Sequence, residues 1–128
     1  MKKKIAILGS TGSIGESTLE VIKRDKKSFD VILLTANNNY KKLIEQAKNF
    51  NAKNVIIKNK ALHQKLQNSL KKTKTKVYSG DISLTNIIFG KLDFTMSSIV
   101  GLAGLQPTID AIKISRTVAI ANKETIIC

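Results

Sequence analysis

The chain alternates short, unbroken apolar runs with longer segments whose apolar residues recur every three or four positions. Ile5-Ala6-Ile7-Leu8 is the first run, Val31-Ile32-Leu33-Leu34 the second and Val55-Ile56-Ile57 the third. Runs without polar alternation suit strands covered on both faces, as in a parallel sheet. The pattern predicts strands over residues 4–8, 29–35, 55–57, 77–78, 93–97 and 118–121. Between them it predicts a helix from 14 to about 24, with Ile14, Thr18, Val21 and Ile22 at helical spacing. A second helix over 40–50 places Leu43, Ile44, Ala47 and Phe50 on one face, and Leu62, Leu66 and Leu70 stripe a third. A weak helix is expected over about 82–89, with Leu84, Ile87 and Ile88 inward. After a loop of small residues over 99–104, a further helix is expected to turn Leu105, Ile109 and Ile112 inward. Pro107 sits in its first turn, where the missing N–H costs little.

Between the first strand and the first helix stands Gly9-Ser10-Thr11-Gly12-Ser13-Ile14-Gly15. Strand, glycine turn and helix form the opening unit of a dinucleotide-binding domain. Gly9 lets the chain leave the strand in a tight turn, Gly12 lets a pyrophosphate approach the backbone, and Gly15 lets helix and strand pack closely. The helix N-terminus would present N–H groups to the phosphates, and Thr11 and Ser13 add hydroxyl donors. The spacing is G-x-x-G-x-x-G, and the alternative reading is a turn that binds nothing. Strands alternating with helices behind such a start imply an α/β fold. The expected form is a Rossmann-like, doubly wound, mostly parallel sheet with helices on both faces. The 128 residues suffice for one such domain, 1–128.

Composition narrows the classes. With 42% hydrophobic residues the chain is expected to fold rather than remain disordered. No apolar run approaches the length of a membrane span, and the four apolar residues behind Met1-Lys2-Lys3-Lys4 are too few for a signal-peptide core. Cys128 is the only cysteine, so no internal disulfide can form, which suits the cytoplasm. The net charge of +13, from 22 Lys and Arg against 9 Asp and Glu, raises nucleic-acid binding as a possibility to weigh. The lysines are scattered, and no aromatic platform interleaves with them, so a solvated basic surface is the preferred reading and no nucleic-acid or membrane partner is expected. His63 stands among lysines and glutamines and reads as a surface residue. No Cys/His cluster suggests a metal and no Ser/His/Asp set is visible, so no catalytic residue or metal ligand is assigned.

Ligands of open α/β sheets bind outside the carboxyl ends of the strands. Three polar clusters fall there: Thr11 to Ile14, Asn37-Asn38-Asn39, and Asn122-Lys123-Glu124. An NAD-specific fold usually places an acid about 20 residues beyond the glycine turn, to hold the ribose 2′-hydroxyl. This chain has asparagines and no acid there, with Lys41 and Lys42 close behind, which favours NADP over NAD. The alternative is that the asparagines only form a turn and a helix cap. In the third cluster Lys123 suits an anionic substrate and Glu124 a ribose or amide; ordinary helix capping is the competing reading.

Ile7 to Gly15, followed by Ser17-Thr18-Leu19, resembles the start of 1-deoxy-D-xylulose 5-phosphate reductoisomerases. The stretch Ile99-Val100-Gly101-Leu102-Ala103-Gly104-Leu105-Gln106-Pro107-Thr108 is similar to that family's second signature, and Ala119-Ile120-Ala121-Asn122-Lys123-Glu124 to its third. The resemblance covers nearly the whole chain. It implies conversion of 1-deoxy-D-xylulose 5-phosphate to 2-C-methyl-D-erythritol 4-phosphate, the committed step of the non-mevalonate isoprenoid pathway. It further implies NADPH and a divalent metal (Mn²⁺, Mg²⁺ or Co²⁺), and a homodimer for the full-length enzyme. It assigns cofactor contacts to Thr11, Gly12, Ser13, Ile14, Asn37, Asn38, Asn39, Asn122 and Glu124, and a contact with the sugar phosphate to Lys123. Two departures stand out. Family members often carry Gly-Lys-Asn where Asn37-Asn38-Asn39 stands, and Gly-Lys where Ser115-Arg116 stands.

Family enzymes run to roughly three times this length, so the resemblance makes the chain an N-terminal fragment. The metal ligands, the phosphate-binding residues and the lid are expected beyond Cys128, and the fragment alone is expected to be inactive. The competing readings are a complete small NADP-binding oxidoreductase and a non-enzymatic nucleotide- or nucleic-acid-binding module.

Overall fold

The computed structural model describes residues 2–99 and 104–121. Six strands form one parallel sheet. They are β1 (Lys3–Leu8), β2 (Phe29–Ala36), β3 (Asn54–Ile57), β4 (Lys76–Ser79), β5 (Leu92–Ser97) and β6 (Ser115–Ile120). Their order is β4-β3-β2-β1-β5-β6. The chain winds outward from β1 to β4, then crosses back to add β5 on the other side of β1. That reversal opens a crevice at the carboxyl ends of β1 and β5.

Three helices cover one face: α1 (Ser13–Lys23), α2 (Tyr40–Phe50) and α3 (His63–Leu70). Leu19, Ile22, Leu43, Ala47, Leu66 and Leu70 are buried there against Ile5, Ile7, Val31, Leu34, Val55 and Ile57. On the other face α4 (Leu105–Ile114) and the segment before β5 bury Leu84, Ile87, Ile88, Ala111 and Ile114 against Ala6, Leu8, Leu33 and Ile56. The successive residues of β1 and β2 divide between the two cores, which is why these runs show no polar alternation. The α/β, doubly wound fold expected from the sequence is the fold observed.

Local signals act where expected. Asn39 caps α2 by accepting from the Lys42 N–H at 3.2 Å, worth about 1 kcal/mol for such a cap. Asn51, in the left-handed region at φ 51°, ends that helix. Pro107 falls in the first turn of α4. His63 is half-buried at the start of α3, where its Nδ1 lies 2.9 Å from Ser79 Oγ.

Three expectations need correction. The weak helix over 82–89 is absent: only a 3-10 turn, Leu84–Asn86, forms, although Leu84, Ile87 and Ile88 are buried as expected. Three hydrophobic side chains can be buried from an irregular segment as well as from a helix. The apolar stripe of α1 is only partly inward: Ile22 is buried. Ile14 and Val21 are exposed, Val21 at 60%, while Gly15, Leu19 and Ile22 face the sheet. The helix seats on its glycine, so the face centred on Gly15 turns inward. In α4, Ile109 and Ile112 are exposed, Ile112 at 57%, Leu105 is half-buried, and Thr108, Ala111 and Ile114 are buried. Hydrogen bonds set that rotation: Thr108 Oγ1 meets Ser97 Oγ at 2.7 Å, and Ser115 Oγ at the helix end meets Thr95 Oγ1 at 2.7 Å. A count of hydrophobic positions does not register such a polar seam.

Candidate functional site

A cavity of about 840 Å³ opens at the carboxyl ends of the strands. Leu8, Gly9, Thr11 and Gly12 come from the end of β1, and Thr35 to Asn37 from β2. Lys58 follows β3, Gly80 to Leu84 follow β4, and Ser98 and Ile99 follow β5; Gln106, Pro107 and Asp110 of α4 complete the lining. A second depression of about 340 Å³ lies on the outer side of α1 between Ser13, Ile14, Ser17, Thr18 and Val21. All five come from one helix, and a single helix face cannot enclose a dinucleotide.

The glycine turn is held from beneath by a buried polar set. Ser10 N–H donates to Thr35 O at 2.8 Å, and Gly9 N–H to Thr35 Oγ1 at 2.9 Å. Ser10 Oγ donates to Gln46 Oε1 at 2.7 Å, and Gln46 Nε2 returns a bond to Ser10 O at 2.9 Å. Ser98 Oγ, from the end of β5, donates to Leu8 O at 2.9 Å and Gly9 O at 3.0 Å. The turn is therefore tied to β2, α2 and β5 before any ligand arrives. Gln46 and Ser98 carry no motif, and only their buried or half-buried partners reveal this role.

Each glycine of the turn has a different physical reason. Gly9 has φ +79°, a conformation that side chains disfavour. A Cβ on Gly15 would fall 2.5 Å from Ser10 Cα and closer still to Gly9 O, so this glycine serves packing. Gly12 differs from both. Its φ is −79°, open to any residue, and a Cβ there would meet only Gly9 O, at 3.7 Å. Neither backbone nor packing asks for glycine at position 12, yet the residue lines the cavity. It is also the N-cap of α1, with no side-chain cap. The first-turn N–H groups of a helix have no intrahelical acceptors, and here no side chain takes that place. This is a ready anion site.

The residues singled out in the sequence divide as follows. Thr11, Gly12 and Asn37 line the cavity. Ser13 and Ile14 line the outer depression and not the cavity; they stand in the first turn of α1, whose N–H groups have no intrahelical acceptors. Asn38 Oδ1 accepts from Asn59 Nδ2 at 3.0 Å, and Asn39 Oδ1 caps α2. Lys42 pairs with Glu16 and does not line the cavity. Asn122, Lys123 and Glu124 lie outside the described residues, as do Val100 to Ala103 of the second signature. Lys58, Asp81, Ile82, Ser83 and Asp110 were not anticipated; they are brought in by strand order, which no local motif encodes. Asp110 has its own partners: Oδ2 accepts from Ser83 Oγ and the Leu84 N–H, both at 3.2 Å, and Oδ1 from Gln106 Nε2 at 2.9 Å.

Among the described residues no group of three or more His, Cys, Asp or Glu side chains could hold a metal ion. The described residues therefore do not supply the set of carboxylates that the divalent ion implied by the resemblance would need. No helix among the described residues is long and apolar enough to cross a membrane.

Comparison with known proteins shows the family. The family model described as 1-deoxy-D-xylulose 5-phosphate reductoisomerase matches residues 5–128. The chain is 52% identical over 128 residues to the enzyme of that name from Pelagibacter ubique, covering 98% of this chain and 33% of the relative. It is 45% identical to the one from Phocaeicola vulgatus, covering 99% and 34%. Among solved structures, the Zymomonas mobilis reductoisomerase in complex with NADPH superposes with a TM-score of 0.91 at 40% identity, over 98% of this chain and 33% of that one. A reductoisomerase in complex with magnesium superposes at 0.87 with 30% identity, over 98% of this chain and 32% of that one. The chain thus spans about a third of the length of the relatives it matches. The glycine turn, the sheet order and the family match agree, and the chain belongs to the 1-deoxy-D-xylulose 5-phosphate reductoisomerase family.

Proposed function

We propose that residues 1–128 are the NADPH-binding domain of an enzyme that converts 1-deoxy-D-xylulose 5-phosphate to 2-C-methyl-D-erythritol 4-phosphate. The observation that carries this reading is Gly12: a glycine that its backbone and its neighbours do not require, at an uncapped helix start, on the wall of an 840 Å³ cavity. The pyrophosphate lies against Gly12 and takes hydrogen bonds from the N–H groups at the start of α1. Thr11 adds a hydroxyl donor, and Asn37 faces the adenosine ribose. Ile56, Ile82 and Leu84 supply apolar wall for the adenine. The cofactor, when bound, supplies the hydride. Asn122 and Glu124 complete the cofactor contacts and Lys123 meets the sugar phosphate. The full-length protein works as a cytoplasmic homodimer and takes its divalent metal from carboxylates outside these 128 residues.

This reading is tested by titrating the 128-residue chain with NADPH and with NADH, followed by cofactor fluorescence. NADPH should bind about tenfold more tightly, because the second turn lacks the acid that favours a 2′-hydroxyl and repels a 2′-phosphate. Equal affinities would contradict the assignment. In the same preparation, 1-deoxy-D-xylulose 5-phosphate with Mn²⁺ should give no NADPH oxidation, since substrate must be chelated and held against the nicotinamide. Substrate-dependent turnover would place the metal site within this chain.

A further inference from the structure

A 2′-phosphorylated dinucleotide brings a doubly charged group to the carboxyl end of β2, and something must meet that charge. The second turn has no cation of its own. Asn38 and Asn39 use their side-chain oxygens on Asn59 and on the helix cap. Lys42 is paired with Glu16 on α1. Neither Lys41 nor Lys42 lines the cavity.

One cation among the described residues does line it. Lys58 follows β3 directly, and β3 is the neighbour of β2 in the sheet. The pairing of the two strands continues past their ends: Lys58 N–H donates to Ala36 O at 2.9 Å, and Asn59 N–H to Asn37 O at 3.1 Å. With the Asn59–Asn38 side-chain bond, these contacts fix the start of the β3 loop against the turn that faces the ribose. The Lys58 side chain is exposed and has no ion-pair partner among the described residues. The acids on the same wall are Asp81, which follows β4, one strand farther from β2, and Asp110, whose oxygens are taken up by Ser83, Leu84 and Gln106.

We propose that Lys58 is the specificity-determining cation for the cofactor's 2′-phosphate. The charge reaches the ribose from the neighbouring strand rather than from the second turn itself. This inference rests on the dinucleotide-binding reading above. Lys58 makes no side-chain contact that the fold needs, so its replacement should leave thermal unfolding unchanged.

The test is a titration of the 128-residue chain, K58M and K58R with NADPH and with NADH, at low and at moderate salt. K58M should weaken NADPH by about tenfold, the usual size of one lost charge-assisted contact, and leave NADH within about twofold. K58R should keep most of the NADPH affinity, and the salt dependence of NADPH binding should be shallower in K58M than in the parent. Unchanged NADPH affinity in K58M would overturn the inference, as would an equal loss for both cofactors. If the parent chain binds neither cofactor, the dinucleotide-binding reading fails first, and the result is told apart by the absence of any parent signal.

Discussion

Replacing Gly12 by valine is expected to abolish NADPH binding and leave the fold in place. A Cβ at this position meets only one atom, Gly9 O, at 3.7 Å, and φ of −79° with ψ of 173° is open to valine. The cost to stability is that of a poorer N-cap, about 1 kcal/mol or less. The cost to binding is much larger. The valine methyls occupy the wall against which the pyrophosphate lies, and the phosphate oxygens lose reach to the first N–H groups of α1. Loss of two charge-assisted hydrogen bonds, at roughly 1.5–3 kcal/mol each, amounts to a hundredfold or greater loss of affinity. Urea unfolding and NADPH titration on the same variant check both halves. Intact NADPH affinity in folded G12V would mean that the turn is structural only.

Gly15→Ala should do the reverse: it weakens the fold first. Helix propensity alone predicts a gain of about 1 kcal/mol, because alanine is the better helix former. Packing predicts the opposite sign. The new Cβ would lie 2.5 Å from Ser10 Cα, with Gly9 O closer still, and both are backbone atoms held by bonds to β2, α2 and β5. They have no flexible end to move aside. Overpacking of this kind typically costs 1–3 kcal/mol, and the upper end, about 3 kcal/mol, is expected here. That exceeds the propensity gain and is a large share of the roughly 5–15 kcal/mol that stabilises a domain. A lower urea midpoint for G15A would confirm the packing role; a higher one would show that α1 can slide away from the turn at no cost.

The strands and the glycine turn were legible in the sequence because their signals are local. An unbroken apolar run such as Val31 to Leu34 needs no partner to be recognised as doubly buried, and α2 announces itself through Asn39 and the spacing of Leu43 and Ala47. Helix orientation was not legible. Ile109 and Ile112 out-score Thr108 on any hydrophobic scale, but the sheet offers Ser97 and Thr95 to that helix, and hydrogen bonds turned it. The same limit applies to Ile14 and Val21, which lost the inner face of α1 to Gly15. The site was half legible. Thr11, Gly12 and Asn37 belong to turns that directly follow strands. Lys58, Asp81 and Asp110 share their cavity only because β3 and β4 end, and α4 begins, at the same edge, and that follows from sheet order.

NADPH is expected to sit in the cavity at the carboxyl edge with its phosphates on the glycine turn. The most direct measurement is a backbone amide map: ¹H–¹⁵N spectra of the 128-residue chain recorded through an NADPH titration. The largest shifts are expected at Gly9 to Ile14, at Ala36 and Asn37, and from Gly80 to Leu84, with Val21 and Ile112 on the outer faces of their helices unmoved. Shifts confined to those outer faces, or saturation with no change at Gly12 and Ser13, would contradict it.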